Sequence, residues 1–323
     1  MKRVKWKKVI LLLIVFLILF IAIDNNRIKI VHEEIVVETL AKDLEGFTVL
    51  QVTDLHEKEF GHNQKRLIKK INSLDYDVIV FTGDMLNSKS SSNYAPYYKL
   101  IEGIKNKEHA LFVPGNADPV PYLIKQDEIV KDEFVIGMEE RGVQFLETNY
   151  AIHLGESVIR IVDFESSIIS EKRIETYRDT NMDGDYSPYI RMQLENHNDN
   201  LVLDEGDTDL LIALNHYPVV DRRIDLLNSD PNYIMREFDL LLAGHYHGGQ
   251  FRIPFYGAFF VPEAYYDRNG LFPPQDRVKG LWEYKGIKQY VSTGLGSSDT
   301  LPFMKFRLFN TPELNVITFT SKK

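Results

Sequence analysis

Short apolar runs alternate with polar, glycine-containing segments through the first half of the chain. The runs Phe47–Thr53, Asp77–Thr82 and Ala110–Val113 predict buried strands, each followed by a polar turn. Between them, Asn63–Leu74 has apolar residues at helical spacing, and a helix is predicted within Ala95–Lys105. This alternation of strand, loop and helix predicts an α/β fold.

The pattern changes after a helix predicted near Ile124–Arg141. Residues 143–146 and 158–164 are strand-like, whereas residues 165–208 are polar and predict irregular structure. Two further buried strands are predicted at Leu210–Leu214 and Leu240–Ala243, and the C-terminal segments "QYVSTGLGSS" and "LNVITFT" predict strand and turn. No repeat or linker divides this part of the chain, so we expect a single domain over residues 47–323.

The N-terminal segment is an unbroken run of 15 apolar residues, Val9–Ile23, behind a basic cluster. As a helix it spans roughly 22 Å, close to the ~30 Å hydrocarbon core of a bilayer. We interpret residues 1–26 as a cytoplasmic basic stub and an uncleaved signal anchor. A cleaved signal peptide is the alternative, for which Ala22 is the only small residue near a cleavage site.

The charge of the N-terminal segment predicts which way it crosses the membrane. Its five basic residues are followed by no acid before Asp24, so the positive-inside rule places the stub in the cytoplasm. Residues 27–46, which include the extended segment Arg27–Glu38, connect the anchor to the body. The predicted location is the cell membrane, with one span and the body on the extracytoplasmic side.

Composition excludes several classes of chemistry and of partner. The chain has 323 residues and no cysteine, so disulfides, thiolate nucleophiles and cysteine-ligated zinc are excluded. Residues 1–23 hold five of the 38 basic residues and none of the 47 acidic ones, which leaves the rest with a formal net charge of −14. Such a body repels phosphate backbones, and we therefore expect no nucleic-acid partner.

Residue types that bind metals follow the ends of five predicted strands. In an open α/β sheet, ligands bind beyond the carboxyl ends of the strands, so these side chains are expected in one region. A histidine alone is usually a structural, hydrogen-bonded residue, but five strand ends carrying such residues indicate a metal site. The predicted ligands are Asp54, His56, Asp84, Asn116, His216, His245 and His247.

Seven ligands are too many for one ion, and they suit two ions about 3.5–4 Å apart with a bridging carboxylate. Imidazole, carboxylate and amide ligands without sulfur favour Mn, Fe, Zn or Ni, among which we favour Mn. Two such cations would lower the pKa of a bridging water and produce hydroxide near neutral pH. No protein nucleophile is then needed.

The order Asp-x-His, Gly-Asp, Gly-Asn-x-Asp, His, Gly-His-x-His resembles the calcineurin-like metallophosphoesterases, over about Phe47 to Thr320. The segments "GHYHGGQFRIP", "FGHNQ" and "STGLGSS" are similar to its exported or membrane-anchored bacterial branch. The resemblance implies a four-layer α/β/β/α sandwich and a phosphoester substrate. The predicted outward-facing location would bring such a hydrolase to lipid phosphates, wall polymers or nucleotides. It implies one ion held by Asp54, His56, Asp84 and His247, and a second held by Asp84, Asn116, His216 and His245.

The chain departs from the family pattern at Ala117. The family usually has a histidine there, which protonates the leaving group and is oriented by the following acid, here Asp118. Three hypotheses follow: a phosphodiesterase or phosphatase whose leaving group needs no protein acid; an enzyme in which His62 replaces the histidine, with Tyr217 or Tyr246 as further candidates; or a catalytically weak or inactive metal-binding protein that acts as a scaffold.

Two further segments carry weaker signals. Asp179, Asn181, Asp183 and Asp185 match the start of a calcium-binding loop, but the twelfth position is Ile190 instead of glutamate. A weak calcium site and an ordinary polar turn are both compatible with this match, and the turn is favoured. The aromatics of "FYGAFF" (255–260) would suit a lipid or glycosyl group, although core packing is the default expectation for them.

Overall fold

The computed structural model describes residues 2–180, 187–196, 199–200, 203, 206–298 and 305–321. The helices of this part of the chain are α1 Lys2–Asp24, α2 Lys65–Ile71, α3 Ala95–Gly103, α4 Glu133–Glu139, α5 Phe164–Ser167, α6 Glu171–Thr180, α7 Pro188–Glu195 and α8 Asp221–Ser229. Its strands are β1 Lys29–Val36, β2 Thr48–Val52, β3 Val78–Thr82, β4 Ala110–Val113, β5 Tyr122–Lys125, β6 Glu128–Lys131, β7 Gln144–Phe145, β8 Asn149–Leu154, β9 Ser157–Asp163, β10 Leu210–Leu214, β11 Leu240–Ala243, β12 Arg252–Ile253, β13 Gly257–Ala258, β14 Gly280–Tyr284, β15 Ile287–Val291 and β16 Glu313–Thr320.

Two six-stranded mixed sheets form the centre of the fold. The first has the order β1-β16-β2-β3-β4-β7, in which β2, β3, β4 and β7 are parallel and β16 runs antiparallel to β2. The second has the order β14-β15-β11-β10-β9-β8, with four parallel strands between two antiparallel edges. The strands that precede the predicted ligands are therefore parallel neighbours within each sheet.

Each central strand is largely apolar because both of its faces are covered. In β3, Val78 and Val80 pack between the two sheets, whereas Ile79 and Phe81 face the layer formed by α2, α3 and α4. In β11, Leu240 and Leu242 pack between the sheets and Leu241 faces the side of α5 and α8. The predicted four-layer α/β/β/α arrangement is confirmed.

The structure corrects several local expectations. Residues 124–131, predicted as part of a helix, belong to the hairpin β5–β6, and of the predicted helix only Glu133–Glu139 is helical. The polar segment 165–208, predicted to be irregular, includes three helices. The sequence did not indicate α6 and α7 because each buries only a few apolar residues. Polar residues on their exposed faces hid the helical period.

The connecting segment is part of the first sheet. Strand β1 pairs in parallel with β16 over its whole length, from Lys29↔Glu313 to Val36↔Thr320. The sheet thus begins N-terminal to the boundary at Phe47 that the sequence suggested. An edge strand covered on only part of its surface explains the loose alternation of its sequence.

Helix α1 stands apart from the body along most of its length. Its segment Trp6–Asp24 has a mean hydropathy of 2.7, and none of the most apolar window is buried. It is long and apolar enough to be a membrane anchor or a signal sequence.

Candidate metal centre

The structure brings the seven predicted ligands together where β2, β3, β4, β10 and β11 end. They form two groups whose ligand atoms lie within 4.8 Å of one another: Asp54, His56, Asp84 and His247, and Asp84, His216 and His245. Asp84 belongs to both groups. The seventh residue, Asn116, places its Oδ1 3.2 Å from His216 Nε2.

The distances between ligand atoms fit a pair of cations. Asp84 Oδ2 lies 3.4 Å from His56 Nε2 and 3.3 Å from His216 Nε2. His56 Nε2 is 3.2 Å from His247 Nε2, and His216 Nε2 is 3.1 Å from His245 Nδ1. Ring nitrogens that face each other need a proton or a cation between them, and oxygen and nitrogen ligands of this kind suit divalent transition metals. The donor set fits a dinuclear site.

The protein's own charges favour cations at this position. Burial lowers the pKa of His245 to about 3, with a contribution from His216, and holds the pKa of His247 well below its usual value. Both imidazoles are therefore neutral, which is the form that ligates a metal. Although burial opposes ionisation of both, His216 holds the pKa of Asp84 well below its usual range, and Asp84 raises that of His216 to about 9. The carboxylate thus attracts positive charge between the two groups.

Hydrogen bonds to neighbouring strand ends orient the ligands. His216 Nδ1 is 2.9 Å from the Thr82 carbonyl oxygen, so it donates its proton there and leaves Nε2 for a metal. Asp54 accepts from the Thr53 hydroxyl at 2.8 Å and from the His245 N–H at 3.1 and 3.2 Å. These hydrogen bonds fix the direction of the ligating lone pairs before a metal binds.

Five of the seven predicted ligands have left-handed backbone. The φ angles of Asp54, His56, Asp84, His245 and His247 lie between 46° and 69°. This conformation is uncommon for residues with a side chain, costs of order 1–3 kcal/mol and is concentrated at functional sites. These five residues follow the ends of β2, β3 and β11.

Close approach, more than turn geometry, explains the glycines of the motifs. A Cβ at Gly83, where φ is 84°, would lie 2.5 Å from the Gly115 nitrogen and 2.8 Å from His216 Nδ1. A Cβ at Gly115 would overlap the Asp84 carboxylate, and one at Gly244 would overlap that of Asp54. Only hydrogen fits at these positions.

Asp118 holds the loop of the bridging carboxylate. It is buried, and it accepts N–H hydrogen bonds from Asp84 at 2.7 Å, Gly115 at 2.9 Å, Met85 at 2.9 Å and Leu86 at 3.1 Å. Burial and the Asp84 carboxylate raise the pKa of Asp118 to about 6, so it is still ionised at neutral pH. Both oxygens are used by the backbone, and Asp118 is a positioning residue for Asp84.

Ala117 contributes through its backbone. Its N–H donates to Asp84 Oδ1 at 2.7 Å, and its side chain lines a cavity of about 400 Å³ that opens onto the metal ligands. Its lining includes five of the predicted ligands, His56, Asp84, Asn116, His245 and His247, and three aromatic residues, Phe251, Phe259 and Phe260. A second cavity of about 450 Å³ lies on the other side of Asn116 and contains the Arg223–Glu165 ion pair.

The three candidate acids lie differently. His62 is exposed, with Nε2 3.3 Å from Asn63 Nδ2, and is absent from the described residues that line the cavity. Tyr246 lines the cavity, but its hydroxyl donates to Glu263 at 2.6 Å, and burial holds its pKa well above the usual value. The Tyr217 ring packs on that of His245 with centroids 4.5 Å apart, and burial raises the pKa of its hydroxyl.

Asn181, Asp183 and Asp185 of the calcium-like loop lie outside the described residues, as does the side chain of Asp179.

Sequence reasoning missed Arg307. This residue is fully buried and donates to the carbonyl oxygens of His247 at 3.0 Å and Gly296 at 2.7 Å. The N–H of Arg307 donates to Asn25 Oδ1 at 2.6 Å, and Asn25 Nδ2 donates back to the Arg307 carbonyl at 2.7 Å. Nothing in the local sequence indicates this role, because His247 and Asn25 are distant along the chain and only Asn310 is a near neighbour in sequence.

The role of Asp118 predicts the effect of Asp118→Asn. One oxygen is replaced by an amide group that faces backbone N–H donors, so we expect a loss of about 2–4 kcal/mol in the free energy of unfolding. We also expect weaker binding of Mn²⁺, measured as a smaller metal-dependent rise in the thermal midpoint. The control is Asp77→Asn, at an exposed carboxylate that accepts a single N–H bond, from Thr48. Equal effects of the two substitutions would contradict the positioning role.

Comparison with known proteins agrees with this geometry. The family model of the calcineurin-like phosphoesterases matches residues 47–249. The uncharacterized metallophosphoesterase YkoQ of Bacillus subtilis is 25% identical over 261 residues, which cover 77% of this chain and 76% of YkoQ. The uncharacterized metallophosphoesterase YkuE of the same organism is 23% identical over 308 residues, covering 93% of this chain and 88% of YkuE.

Among solved structures, the phosphopantetheinyl hydrolase of Mycobacterium tuberculosis is similar with a TM-score of 0.39 and 14% identity, covering 78% of this chain and 91% of that one. The family match spans more than half of the chain and includes every strand end that carries a predicted ligand. The chain belongs to the calcineurin-like phosphoesterase family.

Proposed function

We propose that the protein is a membrane-anchored, metal-dependent phosphoester hydrolase that uses two divalent cations and no protein general acid. The observation that carries this proposal is the sharing of Asp84 between two groups of ligands at one end of a cavity. Asp54, His56 and His247 would complete one site, and Asn116, His216 and His245 the other. Mn²⁺ is our preferred metal within a set that includes Fe, Zn and Ni.

When bound, two such cations supply an activated water and offset the charge of the phosphoryl group. The chain's own residues prepare the site for that chemistry. Thr82 fixes the His216 ring, Asp118 fixes the Asp84 loop, and the Ala117 N–H fixes the carboxylate that both groups share. The amide of Asn116 lies between the two cavities, where it would contact a phosphoryl oxygen as well as a cation.

Proton donation to the leaving group is the step for which none of the three candidate acids is well placed among the described residues. His62 is outside the cavity lining, and the Tyr246 hydroxyl is bound to Glu263. Tyr217 lines the second cavity instead, and burial raises the pKa of its hydroxyl. We therefore infer substrates whose leaving group departs as a stabilised anion or takes a proton from water. A general acid is typically worth about 10²–10⁴ in rate, so esters of ordinary alcohols should be slow.

The lack of a well-placed acid for the leaving group also motivates the second candidate function, a metal-binding scaffold with little turnover. Ala117→His separates the two, with Ala117→Gln as a control that adds bulk but no acid. We expect Mn²⁺-loaded native protein to hydrolyse p-nitrophenyl phosphate or bis(p-nitrophenyl) phosphate, because p-nitrophenolate needs no proton. Ala117→His should raise the rate on glycerol phosphate by about 10²–10⁴ and leave p-nitrophenyl esters within about tenfold. Native protein without turnover on either ester, beside an active Ala117→His variant, would favour the scaffold.

We further propose that α1 remains attached and holds the body outside the cytoplasm. Support comes from its apolar length and from the basic residues that precede it. We expect the full-length chain to resist extraction from membranes by alkaline carbonate and the body to be cleaved by protease added to intact protoplasts. A chain of reduced mass in the medium would indicate a cleaved signal peptide, and a protease-protected body would reverse the orientation.

A further inference from the structure

Six aromatic side chains on one part of the body are exposed, and we call them the aromatic surface: Phe255, Tyr256, Phe259, Phe260, Phe272 and Phe309. Each exposes more than 40% of its surface, and Phe255 is fully exposed. They overturn the expectation that the aromatics of 255–260 pack in the core. An exposed apolar patch of this kind on a protein surface marks an interaction site.

Three of these residues adopt an unfavourable backbone conformation. Phe255, Phe272 and Phe309 have φ angles of 68°, 56° and 51°. A bulky side chain with positive φ costs free energy, and so does apolar surface in water. The fold therefore holds aromatic rings outward at turns where glycine or asparagine would be less costly.

The aromatic surface is continuous with the metal-site cavity. Phe259 and Phe260 belong to both, because they line the cavity together with the ligands His56, Asp84 and His247. Phe272 packs on Phe259 and on Tyr256, with ring centroids 5.0 and 5.7 Å apart. An apolar path thus runs from the exterior to the phosphoester site.

The aromatic surface is also joined to the apolar N-terminal helix. The rings of Phe309 and Phe20 are 5.3 Å apart, and Phe20 lies four residues before the end of α1, about 6 Å along its axis. Arg307 connects this region to Asn25 on one side and to the carbonyl oxygen of the ligand His247 on the other. Helix end, aromatic surface and metal site therefore have fixed relative positions.

We propose that the aromatic surface docks on the bilayer beside α1 and that the cavity takes the phosphoester of a membrane lipid. This inference rests on the proposed hydrolase function and adds its substrate class. The lipid's phosphate would lie at the ligands, and the first part of its chain would lie against Phe259 and Phe260. A cavity of about 400 Å³ is too small for a headgroup with a long chain, so the remainder stays on the aromatic surface or in the bilayer.

The negative net charge of the body indicates that apolar contact, and not electrostatic attraction, drives this docking. Outside residues 1–23 the formal net charge is −14, which opposes attraction to anionic headgroups. Apolar contact is little affected by salt, whereas electrostatic docking weakens with ionic strength. Docking should therefore be insensitive to salt between about 50 and 500 mM.

The test of substrate class uses two phosphodiesters that differ in chain length alone. Ethyl p-nitrophenyl phosphate and hexadecyl p-nitrophenyl phosphate share a leaving group, and water attack on either releases p-nitrophenolate, an alkyl phosphate and protons. For a monoesterase the pair is ethyl phosphate and hexadecyl phosphate, which water converts into inorganic phosphate and an alcohol; both should be slow, and the ratio of their rates is compared. With full-length, Mn²⁺-loaded protein in phosphatidylcholine nanodiscs, we expect kcat/KM to be at least tenfold higher for the hexadecyl ester.

Variants outside the cavity lining separate docking from chemistry. We expect Phe255→Ser/Tyr256→Ser to lower kcat/KM for the hexadecyl ester at least fivefold and to leave the ethyl ester within twofold. The matched control is Leu154→Ser/Leu226→Ser, at exposed apolar positions of β8 and α8. It should change neither substrate's rate by more than twofold.

Docking itself is measured by fluorescence quenching from brominated phosphatidylcholine. We expect a Phe255→Trp variant to be quenched in nanodiscs and a Leu154→Trp variant not to be, at low and at high salt, both in a Trp6→Phe background that removes the tryptophan of α1. Equal rates on both chain lengths, or no quenching of Phe255→Trp, would overturn the inference while leaving hydrolysis of the ethyl ester intact. Failure to hydrolyse any of these esters, with quenching preserved, would instead overturn the proposed hydrolase function.

Discussion

The structure around the metal centre depends on one residue, Asp84, in which every polar atom except one carboxylate oxygen forms a hydrogen bond within the protein. Its N–H donates to Asp118, its carbonyl oxygen accepts from the His56 N–H, and Oδ1 accepts from the Ala117 N–H. Only Oδ2 remains, and it lies between His56 and His216. A carboxylate held in this way has one orientation, and both groups of ligands are arranged around it. The glycines at 83 and 115 follow from the same constraint, because side chains there would occupy the space of Asp84 or its neighbours.

The ligand geometry does not depend on the side chain of residue 117. Ala117 contributes a backbone N–H to the Asp84 carboxylate, and any residue except proline provides that group. Asp118 supports the same geometry by accepting from four backbone N–H groups, so its burial is compensated without an imidazole partner. An alanine at position 117 is therefore compatible with the arrangement of the ligands, and it bears on the proposed proton transfer alone.

Much of the fold and most of the candidate site were predictable from the sequence because both depend on short, local patterns. Apolar strands buried on both faces gave continuous runs, and the ligands follow those runs directly, so parallel pairing collects Asp54, Asp84 and His216. The helices of 165–196 and the β5–β6 hairpin were missed because their buried faces are small. Arg307 and the function of Asp118 depend on partners that lie apart in the sequence or on backbone groups, which leave no residue pattern. The exposure of Phe255 and its neighbours opposes the usual burial of aromatics, so no rule based on hydrophobicity predicts it.

The account as a whole requires that Asp84 be common to two cations. The most direct measurement is the number of metal ions bound per chain, determined by mass spectrometry or by titration of the metal-free full-length protein with Mn²⁺, for the native chain and for Asp84→Asn. The account predicts two ions per native chain and at most one in the variant, whose fold, checked by circular dichroism, is kept. A single ion per native chain, or two ions in both proteins, would contradict it.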